Sequence, residues 1–360
     1  MSPSNSTSPD SHTATKSWFL SPCKTPDQGW LEKARHHQNN LTKPQGSLGK
    51  LEELAISFCA YQQTLRPEIN NICVRVFAGD HGVCAQNISA FPQSVTAQMV
   101  DNFRHGGAAI SVLSRELGAD FSVINMGVVN TPTSDNAVTE DFIRAGTHDF
   151  TERAAMDLDE CYKALDSGRK HVRNDADLFI GGEMGIGNTT SASAILALLL
   201  ELEPKNTVGP GTGLAREAIE HKCAVIERSI QRHSAHTKAP LQALQYFGGF
   251  EITALAGAYI SCGQKGIPVL VDGFISTAAA LAAAKINPSI TPWFIFSHMS
   301  AEPGHIHTLN FFGAKPLLDL NMRLGEGSGA AVAVPLIKTA IALHNNMASF
   351  ESAGVSVAKE

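Results

Sequence analysis

A chain of 360 residues is long enough for one large domain and a smaller one, and 43% hydrophobic against 17% charged residues suits an ordinary globular enzyme with a substantial core. A net charge of −6 without a long basic run excludes a nucleic-acid surface. Seven cysteines, odd in number and without a CxxC pair, argue against a disulfide framework and a thiolate zinc site; they fit reduced thiols in a cytoplasm.

Residues 1–16, MSPSNSTSPDSHTATK, are rich in Ser, Thr and Pro and lack an apolar signal core, which predicts a disordered tail, taken here to residue 28. Residues 29–70, with the turn KPQGSLGKLEE, precede the first strand, and 331–360 follow the last. These two ends are expected to pack as a small helical domain beside a large α/β domain over 71–330. Six β-rich runs are each followed by a glycine or polar turn: Ile72–Ala78, Phe121–Met126, Leu178–Ile180, Ile267–Val271, Trp293–Phe296 and Leu317–Leu320. Helical patterns fall at Ala97–Leu117, Ser191–Leu202, Glu217–His233, Leu241–Gln264 and Thr277–Ala284. The alternation predicts an α/β fold, a six-stranded parallel sheet with helices on both faces. Its ligand should lie outside the carboxyl ends of the strands. The most apolar helical stretch, Ala194–Leu200, is far short of a membrane span.

The turns after these runs hold the chemistry. Residues 79–98 read GDHGVCAQNISAFPQSVTAQ, where Asp80 and His81 follow a strand and Gln93 offers a donor and an acceptor to a heteroaromatic ring. Gly181–Thr190, GGEMGIGNTT, runs from a strand into a helix, so that backbone amides and hydroxyls would meet a phosphate at the helix N-terminus; a plain capped turn is the alternative. Val208–Leu214, VGPGTGL, opens a second helix on which Lys222 could reach a bound anion or remain a solvated surface charge. SHMSAEPGHIH brings His298, Glu302, His305 and His307 together without standard metal spacing, so a loop lining the cleft is favoured over a metal site. Glu326 stands alone between Gly325 and Gly327, where the apolar flanks Leu324 and Ala330 would raise its pKa into the range of a general base; the plain reading is an exposed loop acid.

The ordered segments LTKPQGSLGKLEE, FAGDHGV, PQSVTAQMV, GGEMGIGNTTSASA, VGPGTGL, GGFEITALAGA, PVLVDGFISTAAAL, FSHMSAEPGH, LLDLNMRLGEGSGAA and MASFESAGVS closely resemble the nicotinate-nucleotide:dimethylbenzimidazole phosphoribosyltransferase family over about residues 30–356. The resemblance implies transfer of the 5-phosphoribosyl group of nicotinate mononucleotide to 5,6-dimethylbenzimidazole, giving nicotinate and α-ribazole 5′-phosphate for the lower ligand of cobalamin. It also implies a Rossmann-like six-stranded parallel sheet and a homodimer, with no cofactor, metal, nucleic acid or membrane. Carried over, the general base is Glu326 and a second site carboxylate is Glu183. Phosphate and ribose contacts fall on Gly185, Gly187, Asn188, Thr189, Gly211, Lys222, Gly273 and Ser300, and the incoming base meets Ala85, Gln93, Met184 and Leu324. Two competing readings are a metal-dependent hydrolase using Asp80, His81, His298, Glu302 and His305, and a nucleotide-binding module without chemistry.

Overall fold

The computed structural model describes residues 17–129, 138–209, 215–237 and 239–356. Strands β1 (Ile72–Gly79), β2 (Asp120–Gly127), β3 (Val138–Glu140), β4 (Leu178–Met184), β5 (Val269–Val271) and β6 (Phe294–Phe296) form one sheet in the order β3-β2-β1-β4-β5-β6. Every neighbouring pair is parallel. The period of two along each strand assigns alternate residues to opposite cores. Cys73, Phe77, Phe179, Val269 and Val271 enter one cluster, while Val74, Val76, Ala78, Leu178, Ile180 and Leu270 enter the other.

Helices α1 (Gln28–Asn40) and α2 (Lys50–Gln62) precede β1, and α3 (Ser94–Arg104) and α4 (Ala109–Leu117) lead to β2. α5 (Leu158–Lys170) precedes β4, and α6 (Asn188–Leu199), α7 (Arg216–His233), α8 (Pro240–Phe247) and α9 (Phe250–Lys265) separate β4 from β5. α10 (Phe274–Ile286) joins β5 to β6, after which come α11 (Pro303–Phe312), α12 (Ser328–Asn346) and the short α13 (Phe350–Ala353). The apolar stripe of α12, Ala330, Val334, Ile337 and Ile341, shares one cluster with Phe58 of α2 and with the sheet, so the two chain ends cover a single face.

Several expectations from sequence are corrected. Leu317–Leu320 is not a strand: its amides do bond to the segment ending β6, but only one bridge forms, His298 to Leu318, before Asn321 at φ +54° turns the chain toward the cleft. The sixth strand is instead β3, three residues at the edge, too short to carry a periodic signal. β4 runs on through Gly181 and Gly182 to Met184, which puts Glu183 on a strand rather than in a loop. Glycines also break two of the expected long helices. Gly106, at φ +75°, and Gly107, where a Cβ would lie 2.4 Å from Asn102 Oδ1, separate α3 from α4. Gly248 and Gly249 separate α8 from α9 because the chain there passes against His81 and Glu251.

The expected tail is also shorter than 28 residues. Phe19 is buried within a 3₁₀ turn, Asn287 Nδ2 donates to the carbonyls of Phe19 and Ser21, and Trp293 Nε1 donates to that of Lys24 at 2.7 Å. Residues 1–16 and Gly211 lie outside the described residues. The expected boundary at 330/331 falls inside the continuous helix α12.

α9 is buried along nearly its whole length because it lies between the sheet and α5. The two helices approach through glycines: a Cβ on Gly168 would lie 1.8 Å from the Ala254 carbonyl oxygen, and one on Gly257 would lie 2.1 Å from that of Leu165. Gly257→Ala must therefore separate two packed backbones, and a loss of about 1–3 kcal/mol is expected in urea unfolding. An unchanged midpoint would show that the crossing can relax.

Candidate active site

The sheet order reverses direction between β1 and β4, and beside this point a cleft opens at the carboxyl ends of β4, β5 and β6. It is lined by residues at or after the ends of these three strands and in the turn before α12, among them Glu183, Gly185, Asn188, Asp272, Ser300 and Glu326. The N-termini of α6, α10 and α12 belong to this wall, with Asn188, Gly273 and Glu326 at or near their first turns. Such ends present unpaired amides and the positive pole of the helix, which favours anions.

One side of the cleft is the loop Gly185–Gly187 leading into α6. A Cβ on Gly185 would lie 2.2 Å from the Gly79 carbonyl oxygen, and Gly187 takes φ +96°, so both positions need glycine. The loop is tied to its surroundings by Ile186, whose amide donates to Thr96 Oγ1 at 3.1 Å and whose carbonyl accepts from Cys84 Sγ. Lys222 of α7 reaches it from behind, donating to Thr189 Oγ1 at 2.8 Å while only 1% exposed. Burial lowers the Lys222 pKa to about 8, against the opposing charge of Glu302, so it is still a cation at pH 7. A buried ammonium beside a hydroxyl and helix amides has the chemistry to hold an anion such as phosphate. The plain reading of Lys222 as a solvated charge is thereby corrected.

The other side is acidic. Gly325, Glu326 and Gly327 have φ of +86°, +65° and +84°, three consecutive left-handed residues of which the middle one is not glycine. The turn fits because β4 has no side chain at Gly182, where a Cβ would meet the Glu326 carbonyl oxygen at 2.1 Å. Glu326 is 5% exposed, and its Oε2 has no hydrogen-bond partner among the described residues. Burial pushes its pKa up to about 7, the backbone N–H of Ile110 opposing and the charge of Asp272 adding. The raised value was expected, but not its source, because Leu324 is largely exposed and the acid is not alone. Glu183 accepts from the Glu326 amide at 3.4 Å and from Asn188 Nδ2. Its pKa is raised well above the usual range, first by burial and then by Asp272, Glu251 and Glu326.

Of the residues expected from sequence, Glu183, Met184, Gly185, Asn188, Thr189, Gly273, Ser300, Leu324 and Glu326 line this cleft. Lys222 and Gly187 support the phosphate loop from outside the lining. Ala85 is exposed in the turn after β1, and Gln93 donates to the His81 carbonyl at 3.3 Å; neither is among the lining residues. His298 and Glu302 line it as the expected cleft-lining segment, while Asp272 and Arg323 line it and were not picked for this site. Asp272 sits in the same DGF turn as Gly273, so strand-end position was the available signal.

The histidines of the metal reading are dispersed into separate bonds. His81 joins Glu251 Oε1 at 2.7 Å to Ser191 Oγ at 2.9 Å, and His305 lies between the Ser300 amide and Thr277 Oγ1. SHMSAEPGHIH is also not simply a loop, since α11 starts at Pro303. Among the described residues, no group of three or more His, Cys, Asp or Glu could hold a metal ion.

A phosphoribosyltransferase family model matches residues 23–355. The chain is 50% identical over 343 residues to the nicotinate-nucleotide–dimethylbenzimidazole phosphoribosyltransferase of Pseudomonas aeruginosa, covering 94% of this chain and 98% of that one. It is 50% identical over 347 residues to the enzyme of the same name from Pseudomonas fluorescens, covering 95% and 99%. The crystal structure of the Thermus thermophilus enzyme superposes with a TM-score of 0.87 at 39% identity, over 92% of this chain and all of that one.

The raised Glu326 pKa has a consequence for stability. An acid with a folded pKa near 7 and an unfolded one near 4.5 holds its proton more tightly when folded, so its contribution is full below pH 4.5 and is lost as pH rises through 7. Glu326→Gln, which never ionises, is therefore expected to be more stable than wild type at pH 8, by up to about 3 kcal/mol, and close to it at pH 5. Thermal unfolding at the two pH values measures the difference; an equal difference at both would mean that Glu326 does not titrate in this range.

Proposed function

The chain belongs to the nicotinate-nucleotide–dimethylbenzimidazole phosphoribosyltransferase family, and from that premise we propose which of its residues carry out the transfer. The enzyme moves the 5-phosphoribosyl group of nicotinate mononucleotide to dimethylbenzimidazole in cobalamin biosynthesis. The leaving group is a pyridinium, which departs as a neutral ring nitrogen when its bond to C1′ breaks and needs no general acid. The attacking benzimidazole forms the new bond to C1′ with its lone-pair nitrogen. Its second N–H then becomes acidic and must lose a proton.

Glu326 is the base in this reading, and the observation that carries it is its unpartnered Oε2 on a buried carboxylate with a pKa near 7. Glu183 faces the ribose and eases positive charge at C1′ without bonding to it. The phosphate sits on Gly185, Gly187, Asn188 and Thr189 with Lys222 behind, and Gly211, Gly273 and Ser300 complete the phosphate and ribose contacts. Ala85, Gln93, Met184 and Leu324 surround the incoming base. Displacement from the face opposite the pyridinium inverts C1′ and yields the α-nucleotide, α-ribazole 5′-phosphate.

The same reading makes the enzyme a homodimer; it also joins 29–70 and 331–360 into a small helical domain, and this second part is supported by the packing of α2 on both α1 and α12. Among the described residues no helix is long and apolar enough to cross a membrane. Seven free cysteines support a cytoplasmic location.

Incubation with nicotinate mononucleotide and a panel of bases should release nicotinate only when a base is added; no release with any of them sinks the assignment. Glu326→Gln should bind both substrates and lose about 10²–10⁴-fold in kcat, and a kcat like that of wild type removes Glu326 as the base. Lys222→Met should raise the KM for the nucleotide about 10- to 100-fold, the worth of one charged hydrogen bond to phosphate. An unchanged KM would place the phosphate elsewhere.

A further inference from the structure

Asp272 directly follows β5 and is 1% exposed, with both of its oxygens engaged on the start of α12. Oδ2 accepts from the Gly327 amide at 3.2 Å and Oδ1 from the Ala330 amide at 2.8 Å. The N-cap of α12 is Gly327, which has no side chain to satisfy those amides, so the capping carboxylate comes from another strand. His298 lies against this arrangement, its Nε2 3.6 Å from Asp272 Oδ1 and its ring against Gly329, where a Cβ would lie 2.1 Å away. Resting on the reading of Glu326 as the base, we propose that Asp272 is its positioning residue, clamping the left-handed turn 325–327 through the first amides of α12 while His298 balances the clamp's charge.

Glu326 at φ +65° is in a conformation that a non-glycine residue keeps only when its surroundings enforce it. Two acids from adjacent strands do so: Glu183 takes the amide of Glu326 itself, and Asp272 takes those of Gly327 and Ala330. The clamp also sets the electrostatics of the base. Facing or near Glu326 are Asp272 after β5, Glu183 on β4, His298 after β6, Glu302, Arg323 on its own segment, and the Ile110 amide at the start of α4. Asp272 favours the protonated form of Glu326. Burial lowers the His298 pKa, yet its contact with Asp272 leaves it raised overall, which favours a proton on His298 that offsets the Asp272 charge.

The two partners therefore act on the base in opposite directions. The base must be ionised, so the rate falls on the acid side of the Glu326 pKa. Asp272→Asn removes a negative neighbour and should move that limb of the kcat profile to lower pH by about half to one unit. With one amide of the turn left unheld, kcat should fall about 10- to 100-fold while the nucleotide KM stays within about threefold. His298→Gln leaves the Asp272 charge unbalanced and should move the limb to higher pH. A purely structural role predicts lower kcat with the limb fixed in both variants, and that result overturns the proposal, as does movement of both limbs in one direction. Where Asp272→Asn does not fold, the direction of the His298→Gln shift decides alone. If the wild-type limb persists in the residual activity of Glu326→Gln, Glu326 is not the base and both readings fall; if it vanishes there while Asp272→Asn leaves it in place, only the clamp falls.

Discussion

The Glu326 carbonyl lies against the bare backbone of Gly182, and this contact fixes the distance between the last turn of the α/β region and its central strand β4. A methyl group at 182 would push the turn outward and carry the acid out of the cleft. The same strand, one residue on, presents Glu183, and the same turn opens α12, whose far side is buried on the sheet. Sheet register, acid placement and the docking of the C-terminal helix are thus one geometric condition.

That geometry forces carboxylates together where water is scarce. Glu183, Asp272 and Glu326 are each no more than 5% exposed, and like charges in such a setting favour the protonated forms. Helix amides offset part of the cost: Asp272 is held by the start of α12, and Glu326 is touched by the amide of Ile110 at the start of α4. The remainder is left on Glu326, whose value near 7 suits a group that must take and release a proton near neutrality. Across the cleft the signs reverse, with Lys222 and the start of α6 forming a cationic seat. A substrate carrying phosphate at one end and developing positive charge at its centre matches this polarity.

Much of this was legible in order but not in detail. Strand ends could be read because each β-rich run stops at a glycine or polar turn, and the turns are where chemistry gathers in such a sheet. The GGEMGIGNTT loop and the RLGEGSG turn could be picked out as cleft segments, since glycines there serve close approach. Asp272 could not, because an acid after a strand looks the same whether it caps a distant helix or faces solvent. β3 and the ordering of residues 17–28 were hidden for a related reason: both depend on neighbours supplied by distant parts of the chain, Asn125 and Met126 for one, Asn287 and Trp293 for the other.

The sequence by itself determined the parallel α/β class, the family and the identity of about half of the cleft residues, since hydrophobic period and ordered glycine motifs are local properties written in the chain. Tertiary structure decided the rest: that Lys222 is buried behind Thr189, that Glu326 has acidic company, and that Asp272 caps a helix it does not belong to. These depend on which strands are neighbours in the sheet, and that order brings residues 55, 58 and 143 positions apart into contact. The charge state of a group follows from burial and nearby charges, which exist only once distant segments have met.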